Sequence, residues 1–244
     1  MVSGKYSALS GAVSREQAIS NIASNLANVN TTGFKKDRIS FAAMLKGAKQ
    51  SGETKGINFA RIRTIGTDFS QGGMQTTGRT MDVAIDGPGF FKVRKGEETL
   101  YTRSGSFTLD ENGTVKTANG YTVIGTGDAP LQLDTTGGKN IVIGESGDIA
   151  VNGTTSGSRI EVFAVADTSK LAKTGNNLYR LTSGESEPLP QYRVVQGNLE
   201  TSNVNMMEEM TSMIATQRLF EAHTKAIESF SKLGEKQDEL GSIG

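Results

Sequence analysis

An α+β fold, with a long helix at each end of the chain and a mainly antiparallel β domain between them, is what this 244-residue sequence predicts. Three observations carry that prediction. Of the 30 glycines, 24 lie between residues 47 and 197, as do all 4 prolines, so turn formers and helix breakers are concentrated in the middle. Apolar residues recur at helical spacing at both ends. In the middle, short apolar runs alternate with turn chemistry at close intervals.

The N-terminal helix rests on residues 12–32, which contain neither Gly nor Pro. Within them Ile19, Ile22, Leu26 and Val29 follow one another at helical spacing and share a face. Gly33 is the expected stop. The C-terminal helix is predicted over 198–233, with Met206, Met210, Met213, Phe220 and Ile227 on one stripe and Leu219, Ala226, Phe230 and Leu233 beside it. Its outer face carries Glu221 with Lys225 and Glu228 with Lys232 at i, i+4. Between the helices, MDVAI runs into DGPG, FFKV into RKGEE and LYTRSGSFTL into DENG. TVKTANGYTVIG, IVIGESGDIAVNG and RIEVFAV follow, a pattern of repeated hairpins. Strand alternation predicts that Phe90 or Phe91, but not both, faces the core. The Asn-Gly-Thr triplets at Asn112 and Asn152 read as hairpin turns rather than glycosylation sites. FKKDRISFAAMLKG suits either helix or strand and is followed by Thr/Gly-rich chain. The predicted segments are therefore an N-terminal helix over 1–32, a linking arm over 33–80, a β-rich domain over 81–196 and a C-terminal helix over 197–244.

Composition removes several classes of function. With no cysteine there is no disulfide, thiolate metal site or cysteine nucleophile, and the single histidine, His223, has no second histidine to join it. Lys plus Arg and Asp plus Glu are 26 each, which leaves no net field to gather nucleic acid or an anionic membrane. No run approaches the roughly 18 apolar residues of a spanning helix. Arg15 and Glu16 interrupt the stretch where a secretion signal needs an unbroken apolar core. Gly125-Thr126-Gly127 lacks the third glycine of a dinucleotide loop, and there is no nucleophile elbow, phosphate loop or EF-hand. Asp110-Glu111-Asn112-Gly113 sits where a hairpin must turn, and the methionines at 206, 207, 210 and 213 have the spacing of adaptable packing. No catalytic, cofactor-binding or metal-binding residue is predicted. A hydrolase would need convergent carboxylates that nothing in the sequence marks, and an extracellular β-domain binding protein would leave the N-terminal helix unexplained.

That helix has an unusual second face. Opposite the apolar stripe, Gln17, Asn21, Asn25 and Asn28 recur at helical spacing, with Ala12, Ala18, Ala23 and Ala27 among them. A solvated helix would carry Lys and Glu there. Asn is a poor helix former, but a buried amide fixes register and partner number in coiled coils. Such a helix is suited to burial on all sides by other helices.

The segment NIASNLANVNTTGFKK at 21–36 resembles the signature of the flagellar rod and hook protein family. MDVAIDGPGFF at 81–91, YTRSGSFTLDENGTVKTANGYTVIG at 101–125 and GNLETSNVNMMEEMTSMIATQRLFEAHTKAI at 197–227 resemble the same family in the same order. A single β domain in a chain of this length resembles the proximal rod branch, with the distal rod branch as the alternative. The resemblance implies a structural subunit that passes torque from motor to hook and works without a cofactor. Its partners would be other rod proteins, copies of itself and the flagellar type III export apparatus, with no nucleic acid and no membrane insertion. It would be exported uncut and assembled in the periplasmic part of the basal body. The end helices would form a coiled coil around a central channel. Subunit contacts are expected at Leu9, Ile19, Asn21, Ile22, Asn25, Leu26, Asn28, Val29, Met206, Met210, Met213, Phe220 and Ile227.

Overall fold

The computed structural model describes residues 2–46, 57–134 and 140–241, with side chains described for 4–40, 64–134 and 140–236. Met1, residues 47–56 of the expected linking arm, residues 135–139 of the expected β-rich domain and residues 242–244 of the expected C-terminal segment lie outside the described residues. The chain forms two compact units, one of residues 1–27, 37–68 and 204–244, the other of residues 28–36 and 69–203.

The first unit contains α1 (Val2–Ala27), a hairpin of β1 (Asp37–Lys46) and β2 (Ile57–Thr67), and α2 (Met206–Gly241). The helices pack along each other, and α1 also lies against β2. Helix α1 starts well before its Gly-free stretch, so Gly4 and Gly11 sit inside it. The ambiguous stretch after Phe34 is extended, because Ile57–Thr67 supplies an antiparallel partner from Asp37↔Thr67 to Lys46↔Ile57, with a bulge between Ser40 and Phe41. Helix α2 begins at Met206, later than the predicted residue 198, since Asn198–Glu200 pairs as a strand. Asn205 caps it, its Oδ1 accepting from the backbone N–H groups of Met207 at 3.1 Å and Glu208 at 3.3 Å. Glu208 and Glu209 in the first turn favour the positive end of the helix dipole.

The second unit contains β3 (Met74–Thr76), β4 (Val83–Asp86), β5 (Phe90–Lys95), β6 (Glu98–Thr102), β7 (Phe107–Leu109), β8 (Val115–Thr117) and β9 (Thr122–Val123). It continues with β10 (Ile141–Ile143), β11 (Asp148–Val151), β12 (Thr154–Arg159), β13 (Val162–Val165), β14 (Leu171–Gly175) and β15 (Leu178–Leu181), and ends with β16 (Ser186–Pro188), β17 (Arg193–Gln196) and β18 (Asn198–Glu200). The main sheet runs β14-β15-β6-β5-β9-β8-β7, with β13 bridging β5 to β16; β10, β11 and β12 form a second sheet, and β4 pairs β17 as β3 pairs β18. The pairings between these strands are antiparallel, as the hairpin spacing predicts.

The expectation for Phe90 and Phe91 is corrected here, because both are buried. Phe91 joins the larger apolar cluster and meets Phe107 edge-on with centroids 5.1 Å apart, while Phe90 joins a second cluster and meets Phe69 at 5.3 Å. The alternation itself holds, since the rings belong to different clusters. At Phe90 and Phe91 an apolar cluster covers each face of the sheet, so neither direction leads to solvent.

Candidate assembly interface

Small residues bring α1 and α2 into close contact. A Cβ on Gly4 would stand 2.8 Å from Phe230 Cζ, and one on Gly11 would stand 2.5 Å from the His223 ring. Further along, Asn25 Nδ2 donates to Glu209 Oε2 at 3.4 Å. A step of seven along α1, from 4 to 11, is thus matched by a step of seven back along α2, from 230 to 223, and two more steps reach Asn25 and Glu209. Ala8, Ala12, Ser14 and Ala18 are buried beside them. The face of α1 that packs closest is therefore built of Gly, Ala and Ser, whose lack of bulk admits large side chains from the partner helix.

Asn25 has only 2% of its surface exposed. Its Nδ2 donates to the Asp37 carbonyl at 3.0 Å, and its Oδ1 accepts from the Asp37 N–H at 3.0 Å. The side-chain amide thus imitates a strand neighbour and ties the end of α1 to the start of β1. Asn21 and Asn28 are half-buried, and Asn28 Oδ1 accepts from Thr31 Oγ1 in the turn after the helix. Ile19, Ile22, Leu26 and Val29 are half-buried, as are Met213, Phe220 and Ile227.

Much of the remaining helix surface is apolar and exposed. On α1, Tyr6, Leu9 and Val13 share one face at 58%, 47% and 44% exposure. On α2, Met207, Met210 and Ile214 do the same at 71%, 44% and 52%, with Met206 exposed next to them.

In the second unit, three charged side chains meet away from water. Glu200 Oε1 accepts from Lys35 Nζ at 2.5 Å and from the Gly72 N–H at 2.9 Å, and Glu200 Oε2 pairs with Arg103 at 3.1 Å. Lys35 also donates to the Ser70 carbonyl and Arg103 to the Gly87 carbonyl. Burial pulls the Arg103 guanidinium below its ordinary value, and the charge and hydrogen bond of Glu200 oppose that pull. The backbone follows the same convergence, with the Gly33 N–H donating to the Glu200 carbonyl at 2.8 Å. Gly33 has φ +68°, and a Cβ there would collide with the Ser104 backbone, so the glycine is needed twice over. Sequence reasoning missed this triad. Lys35 follows the Thr-Thr-Gly-Phe motif, Arg103 lies in YTRSG and Glu200 in GNLE, and a charge inside each of three quoted motifs was the available signal.

The rejected chemical motifs have structural accounts. Lys116 pairs with Asp110 Oδ2, and Asp110 Oδ1 accepts from the N–H groups of Thr114 and Asn112, which together hold the carboxyl below the usual range. His223 is half-buried on α2, with its ring against Gly11. Among the described residues no cluster of three metal-ligating side chains occurs, and no helix is long and apolar enough to cross a membrane.

Three family models match the chain: Flagella basal body rod protein over residues 6–35, Flagellar hook protein FlgE/F/G D1 domain over 84–151, and Flagellar basal body rod FlgEFG protein C-terminal over 195–236. Each of these segments contributes one member of the buried triad. The flagellar basal-body rod protein FlgG of Bacillus subtilis is 36% identical over 93% of this chain and 94% of its own. The flagellar basal-body rod protein FlgF of Caulobacter vibrioides is 34% identical over 98% of each chain, and FlgF of Rhizobium meliloti is 34% identical over 91% of this chain and 90% of its own. With that identity along nearly its whole length, this chain belongs to the family of flagellar basal-body rod proteins and is a structural subunit of the rod.

Proposed function

We propose that α1 and α2 form an antiparallel coiled coil whose outward apolar faces bind copies of the chain and other rod proteins in a coaxial inner layer, with the β-rich unit as outer wall. The observation that carries this reading is the exposure of Leu9 and Met210, each with apolar neighbours one turn away. Apolar stripes on helices are ordinarily buried, and a stripe left open is a docking surface. The seven-residue matching of α1 with α2 supports the coiled coil. Leu9, Ile19, Asn21, Ile22, Leu26, Asn28, Val29, Met206, Met210, Met213, Phe220 and Ile227 supply the contacts between subunits, while Asn25 fixes α1 within its own chain. The work is mechanical and non-enzymatic: torque passes through many contacts per subunit. The chain reaches the periplasmic part of the rod uncut, through the type III export apparatus. The proximal segment is our reading of its place, supported by a FlgF relative that matches over 98% of both chains, with the distal segment as the alternative, supported by a FlgG relative at 36% identity.

The test is Met210→Glu. Burying an unpaired carboxylate at a subunit contact costs several kcal/mol, whereas on an exposed helix face it stays hydrated. The variant should be made and exported, keep the melting midpoint of the β-rich unit, and fail to restore swimming to a strain lacking the protein. A fully motile Met210→Glu strain would remove α2 from the subunit contact.

A further inference from the structure

The open apolar face of α2 is built largely of thioethers. Met206, Met207, Met210 and Met213 fall within about two turns of the helix. Met207 is 71% exposed and Met206 and Met210 are 44% exposed each, whereas Met213 is half-buried. Elsewhere among the described residues, Met74 on β3 is exposed and Met81 packs against the larger apolar cluster of the β-rich unit. Leu or Ile would keep such a face apolar, as Ile214 does one turn beyond Met210. What sulfur adds is a polarisable lone pair that peroxides oxidise.

The reaction is a two-electron oxygen transfer. A sulfur lone pair attacks one oxygen of hydrogen peroxide, an S–O bond forms as the O–O bond breaks, and the departing hydroxide takes the proton left on the transferred oxygen and leaves as water. The sulfur is oxidised to a sulfoxide and the peroxide is reduced. Because the peroxide must reach the sulfur, open thioethers react ahead of covered ones.

The product changes the face on which it forms, since a sulfoxide makes a flexible apolar side chain polar. On the free chain the new oxygen is hydrated. Pressed against an apolar partner, the same oxygen is buried without a donor, which weakens the contact by roughly ten- to a hundredfold for each sulfoxide. We propose that Met206, Met207 and Met210 form an oxidation site that closes the α2 face to assembly: hydroperoxides convert them to sulfoxides in the free subunit, and the oxidised face no longer accepts its apolar partner. This rests on the reading of that face as a subunit contact. Burial in the rod shields the same sulfurs, so the subunit is vulnerable before it assembles.

The experiment has a chemical arm and an assembly arm. In the first, the full purified chain is treated with hydrogen peroxide, folded and in denaturant, and followed by peptide mass spectrometry. In the folded chain Met206, Met207 and Met210 should gain oxygen several-fold faster than Met213 and Met81, and in denaturant the rates should converge. Equal rates in the folded chain, or a lead that persists after unfolding, would overturn the proposal. In the second arm the three methionines are replaced together, by Gln or by Leu. Gln has as many heavy atoms as a methionine sulfoxide and carries a polar oxygen at the same distance along the side chain, whereas Leu keeps the face apolar and forms no sulfoxide. In a strain lacking the protein, the Met206→Gln, Met207→Gln, Met210→Gln triple variant should be exported, keep a near-native melting midpoint and fail to restore swimming, while the Leu triple variant should restore it. A clearly lowered midpoint of the Gln variant would overturn the proposal, because the sulfurs would then belong to the chain's own packing. So would a non-motile Leu variant, because the face would then need more than apolar character. A swimming Gln strain beside a non-motile Met210→Glu strain would sink the oxidation site and leave the assembly reading standing; swimming of both would remove the two together.

Discussion

Glu200 stands between two cations in a place without water, and that arrangement makes it more sensitive than either partner. Lys35 and Glu200 have side chains with no exposed surface, and Arg103 has 4%. Replacing Glu200 with Gln leaves two buried positive charges facing an amide and should destabilise the β-rich unit by about 3–5 kcal/mol, the usual cost of breaking a buried pair from one side. Lys35→Met leaves Arg103 and Glu200 as a balanced pair, with the Gly72 N–H still donating to Glu200 Oε1 and Asn203 still donating to the Ser70 carbonyl, so only about 1–3 kcal/mol is expected from the lost Lys35 bonds. Denaturant unfolding of the two variants checks the order; a Lys35→Met loss larger than that of Glu200→Gln would contradict this account of the triad. None of this was legible along the chain, because Glu200 lies 165 residues from Lys35 and 97 from Arg103. A charge inside a motif looks like any surface charge until a fold removes its water.

At the scale of elements, the helices were legible in kind but not in the face they pack. Period reading finds large apolar residues, so it selected Ile19, Ile22, Leu26 and Val29. The face of α1 that meets α2 is instead one of Gly4, Gly11 and Ala18 leading to Asn25, four positions seven apart in which absence of bulk is the signal. The hairpin β1–β2 was legible only as an alternative, since Ile39 and Phe41 suit a strand and Ala42-Ala43-Met44-Leu45 suits a helix. Gly11→Leu tests the packing directly. Its side chain would have to share space with the His223 ring, and overpacking of that kind costs about 1–3 kcal/mol. Hydrogen exchange should show faster opening across α1 and α2 with no change in the β-rich unit, while Ser20→Leu, on an exposed face of α1, should leave exchange unaltered. Equal effects from the two changes would mean that Gly11 is not a packing position.

For the whole molecule, the division into two units carries a mechanical consequence. The β-rich unit holds both large apolar clusters and the charged triad, whereas the helical unit leaves apolar side chains open on α1 and α2. Helices of this kind draw most of their stability from packing, so the subunit should have one part that is stable alone and another completed by its neighbours. Leu26→Glu and Phe91→Ala separate the two. Leu26 is half-buried, and a carboxylate there stays hydrated while α1 is open to solvent. Inside a polymer the same carboxylate is buried without a partner in every copy, at several kcal/mol each. Phe91 has no exposed surface, and its truncation to Ala should cost the monomer about 3–5 kcal/mol through lost burial and the cavity left behind. Thermal melting of the purified chain should therefore show a near-native midpoint for Leu26→Glu and a markedly lower one for Phe91→Ala, while export and swimming assays should find Leu26→Glu secreted yet unable to build a rod. If Leu26→Glu lowers the monomer's midpoint as far as Phe91→Ala does, α1 belongs to the folded core of the single chain, and this end of the molecule does not wait for assembly to be buried.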